Sequence, residues 1–343
     1  MSANKRYLIL AEGFSADPLY GKTMWGVLRY RREDVVAILD STRAGETHDG
    51  LPVVATVDEA LRFDPTTALV GVVTQGGYFP PAWMELLRSC IVAGLDIENG
   101  LHVFLSEDSE LVELAAHNGV ELRDLRKAPP GVSTATGENM TVPGTIVLTV
   151  GSDCAIGKMT VSCELDLEAR RRGLASVFVP TGQTGIAIAG WGIAVDAVVS
   201  DFIAGAAERL VVEGSQRGGE LLWVEGQGSL LHPVYSGVTL GLLHGSAPHL
   251  YVLCHEVGRT EIENAGGGPH PIPSLTALVE LHERIALPAR PAKVACIALN
   301  TRLVDEDAAR RAIADAEAET RLPADDPVRF GAGRLVDAVL AAR

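Results

Sequence analysis

Short apolar runs alternate with segments of helical spacing along residues 1–127. The runs RYLIL, DVVAIL and TALVGVV are typical of buried strands, and KTMWGVLRYR, TVDEALRF and DSELVELAAHNG place apolar residues every third or fourth position. Strands that alternate with helices favour a doubly wound parallel sheet, because each crossover helix covers one face. Residues 1–127 are therefore predicted to form a Rossmann-like domain.

The same alternation returns after residue 144. Strands are predicted at TIVLTV, ASVFVP, LLWVE, HLYVLC and KVACIALN, and helices at Lys158–Arg172, near Ala204–Glu213 and in three further C-terminal segments. Residues 128–143 hold prolines, glycines and hydroxyl residues without a periodic apolar face, which indicates a linker. The chain is thus predicted as α/β, with a second α/β domain over 144–343.

Composition narrows the function classes. The formal net charge of −15 leaves no basic stripe to bind nucleic acid. The five cysteines are scattered, without the spacing of a zinc site or a disulfide framework. Asp196 and Asp201 interrupt the apolar stretch of residues 185–205, so it is read as buried core and loop rather than a membrane span. The N-terminal apolar run is too short for a signal peptide, and we expect a cytoplasmic protein.

The first turn of the Rossmann-like half lacks the dinucleotide pattern. Asp40 ends the second predicted strand, where a Rossmann fold holds a ribose. The first turn, however, is AEGFSADPLYGKT rather than GxGxxG. We therefore expect a Rossmann-like scaffold that binds no dinucleotide through this turn.

The segment VGSDCAIGKMT, residues 150–160, predicts a phosphate-binding loop between a strand and a helix. Backbone N–H groups, the helix N-terminus and the lysine together suit a multiply charged phosphate. Its spacing, Gly151-x5-Gly157-Lys158, resembles the long loop of dethiobiotin-synthetase-like NTPases, and methionine replaces the hydroxyl that normally binds Mg²⁺. No metal is predicted here. The predicted cradle comprises Gly151, Ser152, Asp153, Cys154, Ala155, Gly157, Lys158, Met159 and Thr160.

Polar clusters follow the other predicted strands of this P-loop NTPase-like domain. They are PTGQTG, VEGQGSLLHP, CHEVGR and NTR, and ligands of open α/β sheets bind at the carboxyl ends of strands. Each residue alone could cap a helix or complete a turn, but the set favours a site. The predicted substrate-binding residues are Gln183, Thr184, Asp201, Gln227, Ser229 and Arg259.

In these stretches the chain resembles the bacterial D-glutamate N-acetyltransferases, a family long described only as a domain of unknown function. The resemblance covers essentially the whole chain and rests on AEGFSADPLYGKT, GLDIENGLHVFLSED, GSDCAIGKMT, PTGQTGIAIAGWGIAVDAVVSDFIAGAAE, VEGQGSLLHPVYSGVTLGLLHG and CHEVGR together. It implies transfer of an acetyl group from acetyl-CoA to the amino group of D-glutamate, and a homodimer. Methionine after the lysine belongs to the family pattern.

Acetyl transfer requires a base that takes a proton from the acceptor amine. Glu225 is the first candidate, with His232 and His255 as rivals, and Arg259 is the first choice to bind the acidic acceptor. Two alternatives stay open. One is an ATP- and Mg²⁺-dependent ligase or kinase of the dethiobiotin-synthetase type, which Met159 disfavours, and the other is a non-catalytic nucleotide-binding protein.

Overall fold

The computed structural model describes residues 5–17, 20–74, 77–79 and 81–343. Packing divides the chain into two compact units. The first unit runs to Lys127 and includes Gln183–Ala197, and the second comprises Ala128–Gly182 and Val198–Arg343. Pro18 and Leu19 of the first turn lie outside the described residues.

The strands of the described residues, in chain order, are Tyr7–Leu10 (β1), Val35–Leu39 (β2), Thr47–His48 (β3), Leu51–Val54 (β4), Thr67–Val70 (β5), Asp96–Asn99 (β6), Leu122–Asp124 (β7), Thr145–Gly151 (β8), Ser176–Val179 (β9), Leu221–Val224 (β10), Leu250–Glu256 (β11), Lys293–Asn300 (β12) and Ala324–Asp325 (β13). The helices are Lys22–Tyr30 (α1), Val57–Ala60 (α2), Pro81–Val92 (α3), Ser109–Asn118 (α4), Lys158–Arg171 (α5), Gln183–Ala189 (α6), Ile203–Gln216 (α7), Ser236–Ser246 (α8), Leu275–Arg284 (α9), Glu306–Thr320 (α10) and Gly333–Ala341 (α11).

The sheet of the first unit has the strand order β3-β4-β2-β1-β5-β6-β7 in the described residues. Its pairs are parallel apart from β3 with β4. Central strands such as β1 and β5 are buried along their whole length, which is why they appear as continuous apolar runs. The predicted doubly wound, Rossmann-like sheet is confirmed.

The first turn of this sheet is closed by its own side chains. Asp40, which is 1% exposed, accepts hydrogen bonds from the backbone N–H groups of Gly13, Ser15 and Thr42, each at 3.1 Å. The Asp40 carboxylate therefore stabilises the turn instead of standing free for a ribose. The nearby hydrogen bonds favour ionisation, and the pKa of Asp40 is lowered although burial opposes this.

The apolar stretch of residues 185–205 does not form a single element. Its first part belongs to α6 in the first unit, where the Thr184 hydroxyl lies 2.9 Å from that of Thr23 and Arg31 donates to Ala187 O at 3.0 Å. The sequence predicts this part within the second domain, because periodicity does not reveal which sheet a helix covers. No helix in the described ranges is long and apolar enough to cross a membrane.

The sheet of the second unit has the order β13-β12-β11-β8-β10-β9, and its described pairs are parallel. All seven residues of β8 are buried between β11 and β10. Because parallel strands end at the same edge, the ends of β8, β10, β11 and β12 carry their following polar residues to one rim of the sheet.

The predicted linker is fixed to the second unit. Glu208 of α7 accepts hydrogen bonds from the backbone N–H groups of Thr136 at 2.6 Å and Gly137 at 2.7 Å. Arg290 donates to Met140 O at 2.6 Å. Residues 128–143 therefore pack as part of this unit and are not a free tether.

Candidate functional site

The predicted phosphate loop joins the end of β8 to the start of α5. Residues 152–157 turn over the strand end, and Lys158 opens the helix. Ala155 and Gly157 have φ angles of 53° and 108°, and the second lies where a side chain would be strained. The predicted strand, glycine-rich turn and helix are thus present. Phosphate binding by this loop stays a prediction.

Lys158 is folded inward within the loop and is 6% exposed. Its Nζ donates to Asp153 O at 2.7 Å, so the side chain reaches across the loop in which it is predicted to bind phosphate. Burial lowers the pKa of Lys158, and electrostatic interactions with neighbouring groups, Cys154 first and then Cys254, Asp153 and Glu225, act in the opposite direction. A phosphate in the loop would favour the charged ammonium and replace the carbonyl as its partner.

Met159 occupies the helix position directly after this lysine. Mg²⁺ prefers oxygen ligands, and a thioether is a soft sulfur ligand that does not replace a hydroxyl. Thr160 lies one residue farther along, about 100° around the helix axis. The position that binds the metal in standard loops therefore carries no oxygen here.

Arg259 fixes the loop to the end of β11. Its guanidinium contacts Asp153 Oδ2 at 3.0 Å, Cys154 O at 3.2 Å, Glu263 Oε1 at 3.1 Å, and Glu256 Oε1 at 3.1 Å from Nε and 2.7 Å from Nη2. Four of these contacts are hydrogen bonds, and the contact with Glu263 is an ion pair. Substrate binding by Arg259 stays a prediction, and in the structure its guanidinium holds the loop.

Glu225, the first candidate for the general base, lies at the end of β10 and is 4% exposed. Its Oε2 accepts from the backbone N–H groups of Thr181 at 2.9 Å and Gly182 at 3.1 Å, and its Oε1 accepts from Gln227 Nε2 at 3.0 Å. A Cβ atom on Gly182 would lie 2.5 Å from that amide nitrogen, so glycine permits the close approach. The carboxylate thereby links the turn after β9 to the turn after β10.

His232 is 1% exposed and uses both ring nitrogens. Its Nδ1 accepts from Val234 N at 3.2 Å, which assigns the proton to Nε2, and Nε2 lies 3.1 Å from Glu263 O. The predicted residue Ser229 lies close by in sequence and bonds to the loop backbone, since its Oγ is 3.1 Å from Gly151 O. Both side chains therefore support the loop and its surroundings.

Asp153, Cys154 and His232 bring three potential ligand atoms within 4.8 Å of one another. The donors nevertheless do not fit a metal ion as they stand. Asp153 Oδ2 contacts Arg259, and the proton of His232 Nε2 points to a carbonyl. A cation would have to displace an arginine and reverse the histidine tautomer, so we assign no metal to this cluster.

His255 differs from these residues because one ring nitrogen is engaged and the other is not. Its Nδ1 lies 2.8 Å from Ser152 Oγ, and its Nε2 has no hydrogen-bond partner among the described residues. The ring forms part of the wall of a cavity of about 320 Å³ between the loop after β11, α9 and α10. Burial, with a smaller contribution from Arg259, lowers the pKa of His255.

The remaining predicted residues lie outside the loop, whereas two residues that were not predicted lie at the rim of the sheet. Gln183 and Thr184 belong to the first unit, and Asp201 is exposed just before α7. Two residues outside the predicted set hold the rim of the sheet. Asn300 Nδ2 donates to Ile156 O at 3.2 Å, and Thr181 Oγ1 donates to the Glu225 carbonyl at 2.6 Å. In the sequence these two residues belong to NTR and PTG, polar segments that follow strands. Such a segment does not show where a side chain points.

Comparison with known proteins assigns this architecture to a family. Residues 133–336 match the model described as "Domain of unknown function (DUF1611_C) P-loop domain", and residues 40–128 match that described as "Domain of unknown function (DUF1611_N) Rossmann-like domain". The chain belongs to the DUF1611 family. A crystal structure of a DUF1611 family protein from Anabaena variabilis is 40% identical, has a TM-score of 0.89, and covers 98% of this chain and 99% of that chain.

Two curated DUF1611 relatives carry the name of an enzyme. A D-glutamate N-acetyltransferase of Tritonibacter scottomollicae is 36% identical over 334 residues, or 97% of this chain and 98% of that protein. A D-glutamate N-acetyltransferase of Pseudoalteromonas sp. is 35% identical over 280 residues, or 81% of this chain and 82% of that protein. The predicted family, its Rossmann-like and P-loop domains, and its class as an N-acetyltransferase enzyme are thus confirmed.

Proposed function

We propose that this DUF1611 protein transfers an acetyl group from acetyl-CoA to the amino group of D-glutamate. The acceptor is the one named for the two relatives, which match most of this chain. The observation that supports the donor is the loop between β8 and α5, which has a lysine at its centre but methionine at the metal-binding position.

CoA suits this loop because it carries a pyrophosphate and a 3′-phosphate. Either group can accept hydrogen bonds from loop N–H groups and from Lys158 at the helix N-terminus. Transfer of an acetyl group breaks no phosphoanhydride bond, so the phosphates only have to be held. A loop without the usual Mg²⁺ ligand is consistent with binding of this kind.

The acidic acceptor requires a cation, and Arg302 replaces Arg259 as the first candidate. Arg302 follows β12, and its Nε donates to Glu256 Oε2 at 2.9 Å while its side chain is 57% exposed. The planar guanidinium can bind a carboxylate through two parallel hydrogen bonds. With a protein net charge of −15, such a local positive charge is needed to offset repulsion of a dicarboxylate.

Calorimetric titration of acetyl-CoA, CoA, ATP and ATP with Mg²⁺, followed by an acceptor panel, tests this proposal. We expect acetyl-CoA and CoA to bind without metal, and CoA release to depend on D-glutamate and to be slower with L-glutamate. Binding of ATP that requires Mg²⁺, without binding of acetyl-CoA, would favour the ligase or kinase. Binding of a nucleotide with no turnover of any acceptor would favour a sensor. The homodimer and the cytoplasmic location stay predictions.

A further inference from the structure

We propose that His255 is the general base of the transfer, that Ser152 positions its ring, and that the acceptor amine lies in the cavity beside it. This inference rests on the proposed acetyl transfer and adds to it the group that moves the proton. It also places the acceptor in this cavity, whereas the sequence alone predicts substrate-binding residues in several separate segments.

Ser152 is well placed to fix the orientation of the imidazole. The serine is fully buried, its N–H donates to Cys254 O at 3.1 Å, and its carbonyl accepts from Ser229 Oγ at 3.2 Å. Its hydroxyl, 2.8 Å from His255 Nδ1, can accept the Nδ1 proton. In that tautomer Nε2 has a free lone pair, which a general base requires. The Ser152 hydroxyl then orients the imidazole, as the third residue of a catalytic triad orients the base.

The cavity at His255 has the size of an amino-acid acceptor. Its volume of about 320 Å³ is near the lower limit of small-molecule pockets, about 300–1,000 Å³. Thr260, Ile272, Ser274 and Asp315 line it together with the histidine. A whole CoA molecule does not fit such a space, so the cofactor would present only its acetyl end there.

Burial of His255 favours a neutral ring. Burial is the largest effect that lowers its pKa, followed by the Arg259 cation, whereas Glu256 and Glu319 raise it less strongly. Asp315 also lines the cavity from α10. A histidine whose pKa lies below its ordinary value of about 6.5 is unprotonated at neutral pH and can accept a proton.

The two rival bases are less available. Both oxygens of Glu225 accept hydrogen bonds from the protein, two on Oε2 and one on Oε1. Both nitrogens of His232 are engaged, one by a backbone N–H and one by a carbonyl. Of the three predicted bases, His255 therefore has the most accessible lone pair within the described residues.

The step balances without a further reactant. The amine nitrogen forms a bond to the thioester carbonyl carbon, and one of its protons passes to His255 Nε2. The carbon–sulfur bond then breaks, and the protonated His255 gives that proton to the thiolate of CoA, which regenerates the neutral base. Since Cys254 pairs with Gly151 across β11 and β8, His255 lies beside the start of the loop.

Replacement of His255 by glutamine and by alanine tests the assignment in the full-length protein. Loss of a general base lowers kcat by about 10²–10⁴-fold, and we expect this fall with unchanged acetyl-CoA affinity. Added imidazole should restore part of the activity of His255→Ala, because it can enter the vacated space. His270→Gln is the matched control, since His270 is a half-buried histidine of the same loop that bonds to Gly266 O, and it should retain wild-type kcat. Retention of more than about a tenth of kcat by both His255 variants would overturn the proposal.

A second variant does not depend on removal of the ring. Glu319 raises the pKa of His255, so Glu319→Gln should move the acid limb of the kcat profile to lower pH. An acid limb that stays in place would contradict the assignment, even if the His255 variants fail to fold. If the wild-type protein itself makes no N-acetylated product from D-glutamate, the proposed function fails instead, and the two failures are distinguishable.

Discussion

Arg259→Met removes the positive charge that ties the phosphate loop to β11. Arg259 and Asp153 have side chains that are 7% and 0% exposed, and the Glu256 side chain is 4% exposed. Removal of one partner from a buried ion pair typically costs about 3–5 kcal/mol, because a charge is left without compensation.

The lower end of this range applies here. Asp153 still accepts from the N–H groups of Cys154 at 2.6 Å and Glu263 at 3.0 Å. Glu256 still accepts from Asn300 and Arg302. The flexible methionine fills most of the vacated space, so we expect a loss of about 3 kcal/mol rather than 5.

Hydrogen exchange read by mass spectrometry measures this loss within the second unit alone. Peptides from β8 and β11 should exchange through an opening that is about 3 kcal/mol easier in Arg259→Met, or roughly 100-fold faster. Arg302→Met is the control, because it pairs with the same Glu256 but is 57% exposed, and exposed pairs contribute at most about 1 kcal/mol. Equal effects of the two variants, both below about 1 kcal/mol, would refute the role given to Arg259.

Three further predictions concern the loop. Lys158→Ala should weaken acetyl-CoA binding by about 1.5–3 kcal/mol, the value of a charged hydrogen bond, whereas Lys293→Ala on the surface should not; equal affinities by calorimetry would contradict this. EDTA should leave kcat unchanged, because Met159 supplies no metal ligand, and activity lost to EDTA but restored by Mg²⁺ would contradict it. Gly226→Ala should lower stability and abolish binding, since its Cβ would lie 1.8 Å from Thr149 O; a wild-type melting temperature and affinity would show that the strand end can move.

The sequence patterns predicted the helices and strands better than the contacts between them. The segment TVDEALRF was predicted as a helix, and Thr56 at its start accepts a hydrogen bond from Glu59 N and caps α2. In contrast, the strands β3, β4 and β13 and the helices α6 and α8 were missed. Strands of two residues, such as β3 and β13, are too short to show a periodic pattern. The helices α6 and α8 contain glycines, which in a sequence are typical of loops.

In the candidate site, too, local structure could be predicted but side-chain contacts could not. The order of strand, glycine-rich turn and helix follows from local pattern, so the position of the loop could be predicted. Which side chains stay available for a ligand depends on contacts between distant segments. In the structure Arg259 contacts Asp153 and Glu263, and His255 lies beside the hydroxyl of Ser152. No local pattern encodes those pairings.

Transfer of a labelled acetyl group tests the central claim most directly. The purified protein is mixed with acetyl-CoA that carries ¹³C in both acetyl carbons, with D-glutamate, and without ATP or added metal. Our account predicts that mass spectrometry detects labelled N-acetyl-D-glutamate in an amount equal to the free CoA released. Absence of the labelled product, or its formation only when ATP and Mg²⁺ are present, would contradict the account.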